Sequence, residues 1–284
     1  MSILPTAEIS RKLTVLLLAG LLTLTAACRR ENIQEIDLTP YFRGINGTAV
    51  FYTPRTGLYK IHNLPLSRKR SSPCSTFKII SSYIAFSENI ISPKASTLQW
   101  NRHTYKYPQW NRNLNITEAF QSSCVWYYRR LIDRIGPDIM RRNLSELQYG
   151  NQDITDWQGN LNKDTDISEL KGFWIESSLL ISPIEQTQVL ARLFAKRSQV
   201  VSDLKEIMQT SIGNIKVYGK TGLGTDGSLV KDAWFVGFYE KEDQTVYFAV
   251  RLDDQTRNDI SDYSGQASRI ARQIAIDIIT GVDL

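Results

Sequence analysis

The chain has 284 residues, of which 42% are hydrophobic and 22% charged, so it can form one large or two small globular domains, and disorder throughout is excluded. Its 34 basic and 29 acidic residues give a formal charge of +5, and no block of like charges indicates a nucleic-acid partner. Two distant histidines, His62 and His103, and three cysteines without paired spacing argue against a metal site and against a Ser-His-Asp triad. Small-molecule chemistry is the class that remains.

The first segment is typical of an export signal. Arg11 and Lys12 precede an uncharged stretch, Leu13 to Ala27, that is too short to span a bilayer comfortably. The run that ends at Cys28 resembles a bacterial lipobox, in which the cysteine is lipidated; ordinary cleavage after a small residue is the alternative. We therefore expect residues 1–28 to be a signal peptide and residues 29–284 to be secreted across the cytoplasmic membrane. The mature protein would be periplasmic or, through a lipidated Cys28, anchored to a membrane at the cell envelope.

Beyond this segment, the periodicity of apolar residues predicts the elements in chain order. Short β-type runs at 47–53 and 57–62 predict a hairpin. From about residue 72 to residue 210 the spacing is helical, and Ser182-Pro183-Ile184-Glu185 predicts a capping box with proline at the first helical position. Runs at 215–220, 232–239 and 245–252 predict an antiparallel meander, with a loop at 222–227. A closing helix is expected to end at Gly281.

This order of elements predicts an α/β fold of the α+β type. The sheet, of about five or more antiparallel strands, is built from both ends of the chain and flanked by terminal helices. An all-helical subdomain, about residues 72–210, is inserted between the two parts of the sheet. We expect a ligand to bind in a cleft between the two layers.

The first chemical motif is Ser75-Thr76-Phe77-Lys78, at the predicted start of a helix. The spacing of three places Lys78 on the same face as Ser75, where a lysine whose pKa is lowered by burial can take the serine proton. Free N–H groups at a helix start can also stabilise a developing oxyanion. The pattern alone is weak, because it recurs at Ser168 with Lys171, Ser202 with Lys205, and Ser228 with Lys231.

Two further motifs separate Ser75 from these other matches. Ser123-Cys124-Val125 lies near a predicted helix start, where a hydroxyl can relay a proton. Lys220-Thr221-Gly222 follows a predicted strand and offers a cation, a hydroxyl and close backbone approach to a ligand. Cys74 directly precedes the first motif and Cys124 lies within the second; they could pair in an oxidising compartment, although a small buried side chain is the favoured role for both.

Together with Tyr149-Gly150-Asn151, these motifs resemble the motif set of the class D, oxacillinase-type serine β-lactamases. Residues 173–179 and 181–186, and Ala233-Trp234-Phe235-Val236-Gly237, are similar to that family as well. The resemblance covers the chain from about residue 49 to its end. It implies a β-lactamase and penicillin-binding transpeptidase-like fold, and hydrolysis of β-lactam antibiotics, which confers resistance.

The resemblance also implies roles for individual residues. Ser75 would be the acylated nucleophile, and Lys78 would capture carbon dioxide to become a carbamate (N6-carboxylysine) that acts as the base. No other cofactor is implied beyond this carbon dioxide or bicarbonate. Trp174 would donate a hydrogen bond to the carbamate, Ser123 would shuttle a proton, and Val125 and Ile175 would control the entry of water. Lys220, Thr221 and Arg269 would bind the substrate carboxylate, and Gly222 would let the backbone approach the substrate closely. The backbone N–H groups of Leu223 and Ser75 would form the oxyanion hole.

Several alternatives stay open. Arg251 and Arg257 are rivals of Arg269 for the substrate carboxylate. A penicillin-binding peptidase would share the serine, the lysine and the third motif, but it would not need Trp174 above the lysine. A β-lactam sensor would be acylated without efficient turnover. Neither the oligomeric state nor the range of β-lactams follows from the sequence.

Overall fold

The computed structural model describes residues 31–158, 172–212, 215–226, 229–242, 244–253 and 263–284. It divides the chain into two compact units, Met1–Asn32 and Ile33–Leu284, and the fold is that of the second unit. The predicted signal segment and Cys28 lie outside the described residues. Export and lipidation therefore stay predictions.

A seven-stranded sheet in the order β1-β3-β2-β7-β6-β5-β4 forms the centre of the described chain. The strands are β1 (Asn32–Glu35), β2 (Gly47–Thr53), β3 (Leu58–His62), β4 (Gln209–Ile212), β5 (Ile215–Asp226), β6 (Leu229–Lys241) and β7 (Gln244–Leu252). β2 pairs antiparallel with both β3 and β7, and β6 pairs antiparallel with β7 and β5. Strands from the two ends of the chain thus lie side by side, as predicted.

Helices occupy the chain between these two groups of strands and close it at the end. The described helices are α1 (Thr39–Phe42), α2 (Leu64–Arg68), α3 (Lys78–Ser87), α4 (Ile116–Gln121), α5 (Val125–Ile135), α6 (Pro137–Leu147), α7 (Pro183–Phe194), α8 (Gln199–Met208) and α9 (Tyr263–Gly281). The helices α3 to α8 all fall between β3 and β4 along the chain. This arrangement confirms the predicted α+β class with inserted helices.

The alternation of side chains along β7 separates two apolar layers. Phe248 and Val250 pack in one cluster with Ala271 and Ile278 of α9, whereas Ala249 belongs to the cluster of the inserted helices. Successive side chains of a strand point to opposite faces of its sheet, so each face carries its own helices. A cleft between sheet and inserted helices can therefore form on one face only.

Two helix ends follow the predicted local chemistry. The Ser182 Oγ accepts a hydrogen bond from the Glu185 N–H at 3.3 Å, and the Glu185 carboxylate accepts one from the Ser182 N–H at 2.9 Å. Pro183 occupies the first helical position of α7, where the missing N–H costs nothing. α9 ends at Gly281, as expected.

The predicted loop at residues 222–227 is wrong, because β5 continues to Asp226, with a register shift between Gly224 and Thr225. The glycines indicate close packing here, not a turn. A Cβ at Gly222 would lie 2.9 Å from the Thr76 Cγ2 and 3.1 Å from the Pro73 carbonyl oxygen. The third motif therefore lies within a strand, pressed against the turn that carries the first.

The structure also bears on the state of the cysteines, on membrane-spanning helices and on metal sites. Cys74 and Cys124 are both buried free thiols, which fits the favoured role of small buried side chains. No helix of the described residues is long and apolar enough to cross a bilayer. Within the same ranges, no group of three or more His, Cys, Asp or Glu side chains is arranged to hold a metal ion.

Candidate active site

The first motif forms one turn of 3₁₀ helix, Cys74–Phe77, that runs directly into α3 at Lys78. Side chains three residues apart eclipse one another in a 3₁₀ helix. The Lys78 Nζ accordingly donates a hydrogen bond to the Ser75 Oγ at 2.8 Å. The predicted nucleophile and base are in direct contact, although Ser75 lies in a 3₁₀ turn and not in the α-helix itself.

Lys78 is enclosed by aromatic side chains and is only 1% exposed. Its Nζ lies 5.2 Å from the centroid of the Tyr128 ring, and the Phe77 ring stacks on Trp174 at 6.2 Å. Burial disfavours the ammonium form and lowers the pKa of Lys78 from 10.5 to about 8, although the thiol of Cys124 opposes the shift. A neutral amine, able to accept a proton or react with an electrophile, is therefore accessible near neutral pH.

The residues predicted to line this pocket lie in one apolar cluster. Phe77, Trp174 and Val125 are buried members of the cluster, and the half-buried Ile175 packs against it. The loop that carries Trp174 is attached to the segment before the nucleophile, because the Ser72 Oγ donates to the Trp174 carbonyl at 3.0 Å. The predicted donation from the Trp174 indole to a carbamate stays a prediction.

The second motif lies at the end of α4, in a Schellman motif. The Ser123 N–H donates to the Phe120 carbonyl at 3.1 Å, and the Cys124 N–H donates to the Ala119 carbonyl at 2.8 Å. Ser123 has a left-handed φ of 55°, in the position where a helix end usually has glycine. The thiol of Cys124 interacts electrostatically with Lys78, so the second motif lies beside the first.

The third motif presents a buried amine to the same region. Lys220 is 5% exposed, and its Nζ donates to the Thr221 carbonyl and Oγ1 at 3.2 Å and 3.3 Å. The Lys220 Nζ also lies 5.7 Å from the centroid of the Phe120 ring, at the end of α4. Burial, followed by the charge of Lys78, lowers the pKa of Lys220 well below its usual value. The side chain of Lys220 is thus close enough to Lys78 for the charge of Lys78 to affect its pKa.

A cavity of about 450 Å³ adjoins the third motif. Lys220, Thr221 and the exposed Arg269 of α9 line it, while Ser75 and Lys78 are not among its lining residues. Of the rival arginines, Arg251 is 1% exposed and pairs with the Asp232 carboxylate at 2.6 Å, so it is not free to bind a substrate. Arg257 lies outside the described residues. Of the two candidate arginines that the structure describes, only Arg269 borders this cavity, and its role as the carboxylate-binding residue stays a prediction.

The Tyr149-Gly150-Asn151 motif supports the loop that carries Trp174. The Asn151 Oδ1 accepts from the Leu180 N–H at 2.8 Å, and its Nδ2 donates to the Ser178 carbonyl at 2.7 Å. Gly150 has a φ of 52°, and any Cβ there would overlap the Leu180 carbonyl. This role requires a contact some 30 residues along the chain, which the sequence alone does not reveal.

Glu176 is the main side chain at the site that sequence reasoning did not assign. Its Oε1 lies 3.2 Å from the Cys74 Sγ, and its N–H donates to the Ser72 Oγ at 2.9 Å. A Cβ at Gly224 of β5 would overlap the Glu176 carboxylate. Glu176 thus touches both the residues just before Ser75 and β5, the strand that carries Lys220. The sequence signal that could have placed Glu176 at the site is its position directly after Trp174 and Ile175.

Among the other Ser-x-x-Lys matches, Ser202 and Lys205 lie on α8. The Lys205 Nζ pairs with the Glu240 carboxylate at 2.6 Å, and the Ser202 Oγ donates to the Ser198 carbonyl at 3.3 Å. Each side chain therefore bonds elsewhere. Ser168, Lys171 and Ser228 lie outside the described residues.

Comparisons of the sequence identify a family and relatives of two kinds. A family model for the penicillin binding protein transpeptidase domain matches residues 47–279. The Methicillin resistance mecR1 protein of Staphylococcus aureus is 34% identical over 76% of this chain, and the match covers 36% of that protein. The chain thus spans about a third of the length of this relative. Beta-lactamase OXA-1 of Escherichia coli is 31% identical over 70% of this chain and 73% of its own length.

Solved structures of both kinds share the fold. The C-terminal domain of the BlaR penicillin-receptor of Bacillus licheniformis superposes with a TM-score of 0.74 at 27% identity, covering 90% of this chain and 99% of that one. A class D β-lactamase from Bacillus subtilis superposes with a TM-score of 0.72 at 26% identity, covering 86% and 94%. The predicted fold class and the resemblance to class D β-lactamases are confirmed.

Proposed function

The chain belongs to the penicillin-binding protein transpeptidase family, and we propose that it hydrolyses β-lactams as a class D serine β-lactamase. One observation carries this proposal. The Lys78 amine is buried, has a pKa lowered to about 8, and lies 2.8 Å from the Ser75 hydroxyl. A nucleophile in contact with a base whose pKa is close to neutrality is the arrangement that acyl transfer needs.

Acylation begins with attack of the Ser75 Oγ on the β-lactam carbonyl carbon. A C–O bond forms, the lactam C–N bond breaks, and the hydroxyl proton of Ser75 passes to the Lys78 side chain. Ser123 then relays this proton from the Lys78 side chain to the departing lactam nitrogen, so that Lys78 is unprotonated again in the acyl-enzyme. The N–H groups of Ser75 and Leu223 are suited to stabilise the oxyanion, because backbone donors are fixed before the reaction begins.

The surroundings of Lys78 fit a carbamate made by capture of carbon dioxide. Only a neutral amine reacts with carbon dioxide, and the low pKa supplies that form. The modification would give Lys78 an anionic base stronger than the amine. A buried anion needs hydrogen-bond donors, and the Trp174 indole, within the cluster that also holds Phe77, is the donor we assign.

The same base would serve the second half of the reaction. The Lys78 side chain takes a proton from a water molecule, which attacks the ester carbonyl carbon. The bond between that carbon and the Ser75 Oγ then breaks, and the proton taken up by Lys78 passes to the Ser75 Oγ. Val125 lies in the apolar cluster and Ile175 packs against it, and the two would control how water reaches Lys78. Lys220, Thr221 and Arg269 would hold the substrate carboxylate, and the product would no longer be an active antibiotic.

A sensor is the second candidate, and the comparisons favour it specifically. The relatives include the Methicillin resistance mecR1 protein and the structure of a penicillin-receptor domain. A sensor would form the same ester on Ser75 and keep it. Hydrolase and sensor thus differ in the second half of the reaction.

Mass spectrometry after mixing with a penicillin tests both candidates. A hydrolase forms an adduct that Ser75→Ala abolishes, and it releases hydrolysed penicillin in excess over protein. A stoichiometric adduct that persists, with no excess product, would contradict hydrolysis and support the sensor. A protein that gives neither an adduct nor hydrolysed penicillin would refute both. Export and lipidation of Cys28, also part of the proposal, are tested by metabolic labelling with a fatty acid in a bacterial host.

A further inference from the structure

Ser123 occupies a backbone conformation that it does not favour on its own. Its φ of 55° lies in the left-handed region, where a Cβ is crowded by the neighbouring carbonyl oxygen. Glycine would relieve the crowding but would remove the hydroxyl that the proposed reaction uses. Contacts with neighbouring residues must therefore hold the backbone of Ser123 in the left-handed conformation.

Hydrogen bonds from two indole groups lead to the residue before Ser123. The Trp126 Nε1 donates to the Trp110 carbonyl at 2.9 Å, and the Trp110 Nε1 donates to the Ser122 carbonyl, also at 2.9 Å. The Ser122 carbonyl belongs to the peptide group that joins Ser122 to Ser123. The next peptide group is held as well, because the Cys124 N–H donates to the Ala119 carbonyl at 2.8 Å. With the peptide planes on both sides of Ser123 held, its backbone torsions are restricted to the left-handed conformation.

Both indole groups are buried, and burial makes their hydrogen bonds more important for the structure of this turn. Trp110 is 4% exposed and Trp126 is 3% exposed, and the Tyr107 ring packs on Trp110 at 4.6 Å. The Ser122 carbonyl is half-buried, so loss of its indole donor is only partly made good by water. The Ser122 Oγ adds a bond to the Glu118 carbonyl at 2.6 Å, so this turn is held from two sides.

We propose that Trp110 is a positioning residue for Ser123. Its indole N–H helps to hold Ser123 in the left-handed conformation from which, in the proposed reaction, the Ser123 hydroxyl delivers a proton to the leaving lactam nitrogen. This inference rests on the proposed acylation of Ser75. It applies equally to a hydrolase and to a sensor, because both need the first half of the reaction.

Trp110→Phe tests the inference by removing the N–H while keeping an aromatic ring. Trp100→Phe is the matched control, because the Trp100 indole also donates to a carbonyl of the same region, that of His103 at 2.7 Å, but does not reach Ser123. Acylation of Ser75 by a chromogenic cephalosporin is followed by rapid mixing and, for slow variants, by mass spectrometry over hours. We expect Trp110→Phe to slow acylation about tenfold, equivalent to about 1.4 kcal/mol, and Trp100→Phe to leave it unchanged.

The same substitution in a Ser123→Ala background separates positioning from general loss of structure. If Trp110 acts through the Ser123 hydroxyl, Trp110→Phe has no further effect on the residual rate once that hydroxyl is absent. An equal loss in both backgrounds would overturn the inference, as would equal rates for Trp110→Phe and the unmodified protein.

Trp126→Phe provides a second variant, one bond further from Ser123, should Trp110→Phe not fold. We expect it to slow acylation by a smaller factor, and again only when Ser123 is present. An unmodified protein that gives neither a Ser75 adduct nor hydrolysed β-lactam would refute the proposed function. A normal adduct with no effect of either tryptophan would refute the positioning role alone.

Discussion

Turnover should require dissolved carbon dioxide, and it should require more of it as the pH falls below about 8. Burial lowers the pKa of Lys78 from 10.5 to about 8. At pH 7, about one amine in ten is then neutral, against about one in three thousand for a freely solvated lysine. This gain of roughly 300-fold, or about 3 kcal/mol, is what makes capture of carbon dioxide feasible under physiological conditions.

The expected pH dependence follows from the balance of the capture step. A bond forms between the Lys78 nitrogen and the carbon of carbon dioxide, and the nitrogen releases a proton. Below the pKa of the amine, a further proton must first leave the ammonium form. As the pH falls, the dissolved carbon dioxide that gives half-maximal turnover should therefore rise about tenfold per pH unit above 8, where one proton is released, and about a hundredfold per unit below 8, where two are released.

The assay is steady-state hydrolysis of a chromogenic β-lactam in buffers equilibrated with fixed pressures of carbon dioxide. Carbon-13 NMR of protein supplied with labelled bicarbonate reports the adduct directly. Lys78→Ala should lose both the resonance and turnover. Lys205→Ala is the matched control from the other described Ser-x-x-Lys match, and it should retain both. A fully active protein without the resonance, or a carbon dioxide requirement that does not change with pH, would refute the mechanism.

Other substitutions test separate parts of the structure. Arg269→Ala should raise KM about 10- to 100-fold with little change in kcat, if Arg269 binds the substrate carboxylate; an unchanged KM would exclude that role. Asp232→Asn should lower the free energy of unfolding by about 3 kcal/mol in a denaturant titration, because the buried Arg251 loses its principal partner. Gly222→Ala should cost about 1 to 3 kcal/mol in the same titration through overpacking. Ser123→Gly should slow acylation at least about tenfold while raising the free energy of unfolding by about 1 kcal/mol.

The sequence was sufficient to predict contacts that depend on local geometry. The contact of Ser75 with Lys78 follows from a spacing of three along one turn, and the capping box at Ser182 follows from two residues in the same turn. The class of fold could also be predicted, because apolar periodicity changes from two residues to about three and a half where strands give way to helices. Each of these features is determined within a short window of sequence.

Contacts between distant segments could not be predicted in this way. The loop expected at 222–227 is part of β5, since Gly222 and Gly224 allow the strand to approach the first motif and the Glu176 carboxylate. β4 was also not expected, because its four residues form a strand only by pairing with β5. Likewise, no local pattern shows that Trp110 reaches Ser122. Such contacts are visible only in the folded chain.

The strained backbone of the site explains why its residues are held from outside. Cys74, Ser123 and Glu176 have φ angles of 48°, 55° and 52°, and each lies within or directly beside a segment that carries site chemistry. At about 1 to 2 kcal/mol each, they cost a noticeable part of the 5 to 15 kcal/mol by which a typical domain is stable. The bonds from Trp110 and Ser72 must offset this cost. Geometry at the site is thus imposed by the surrounding fold, so variants that relax it should gain stability as they lose activity.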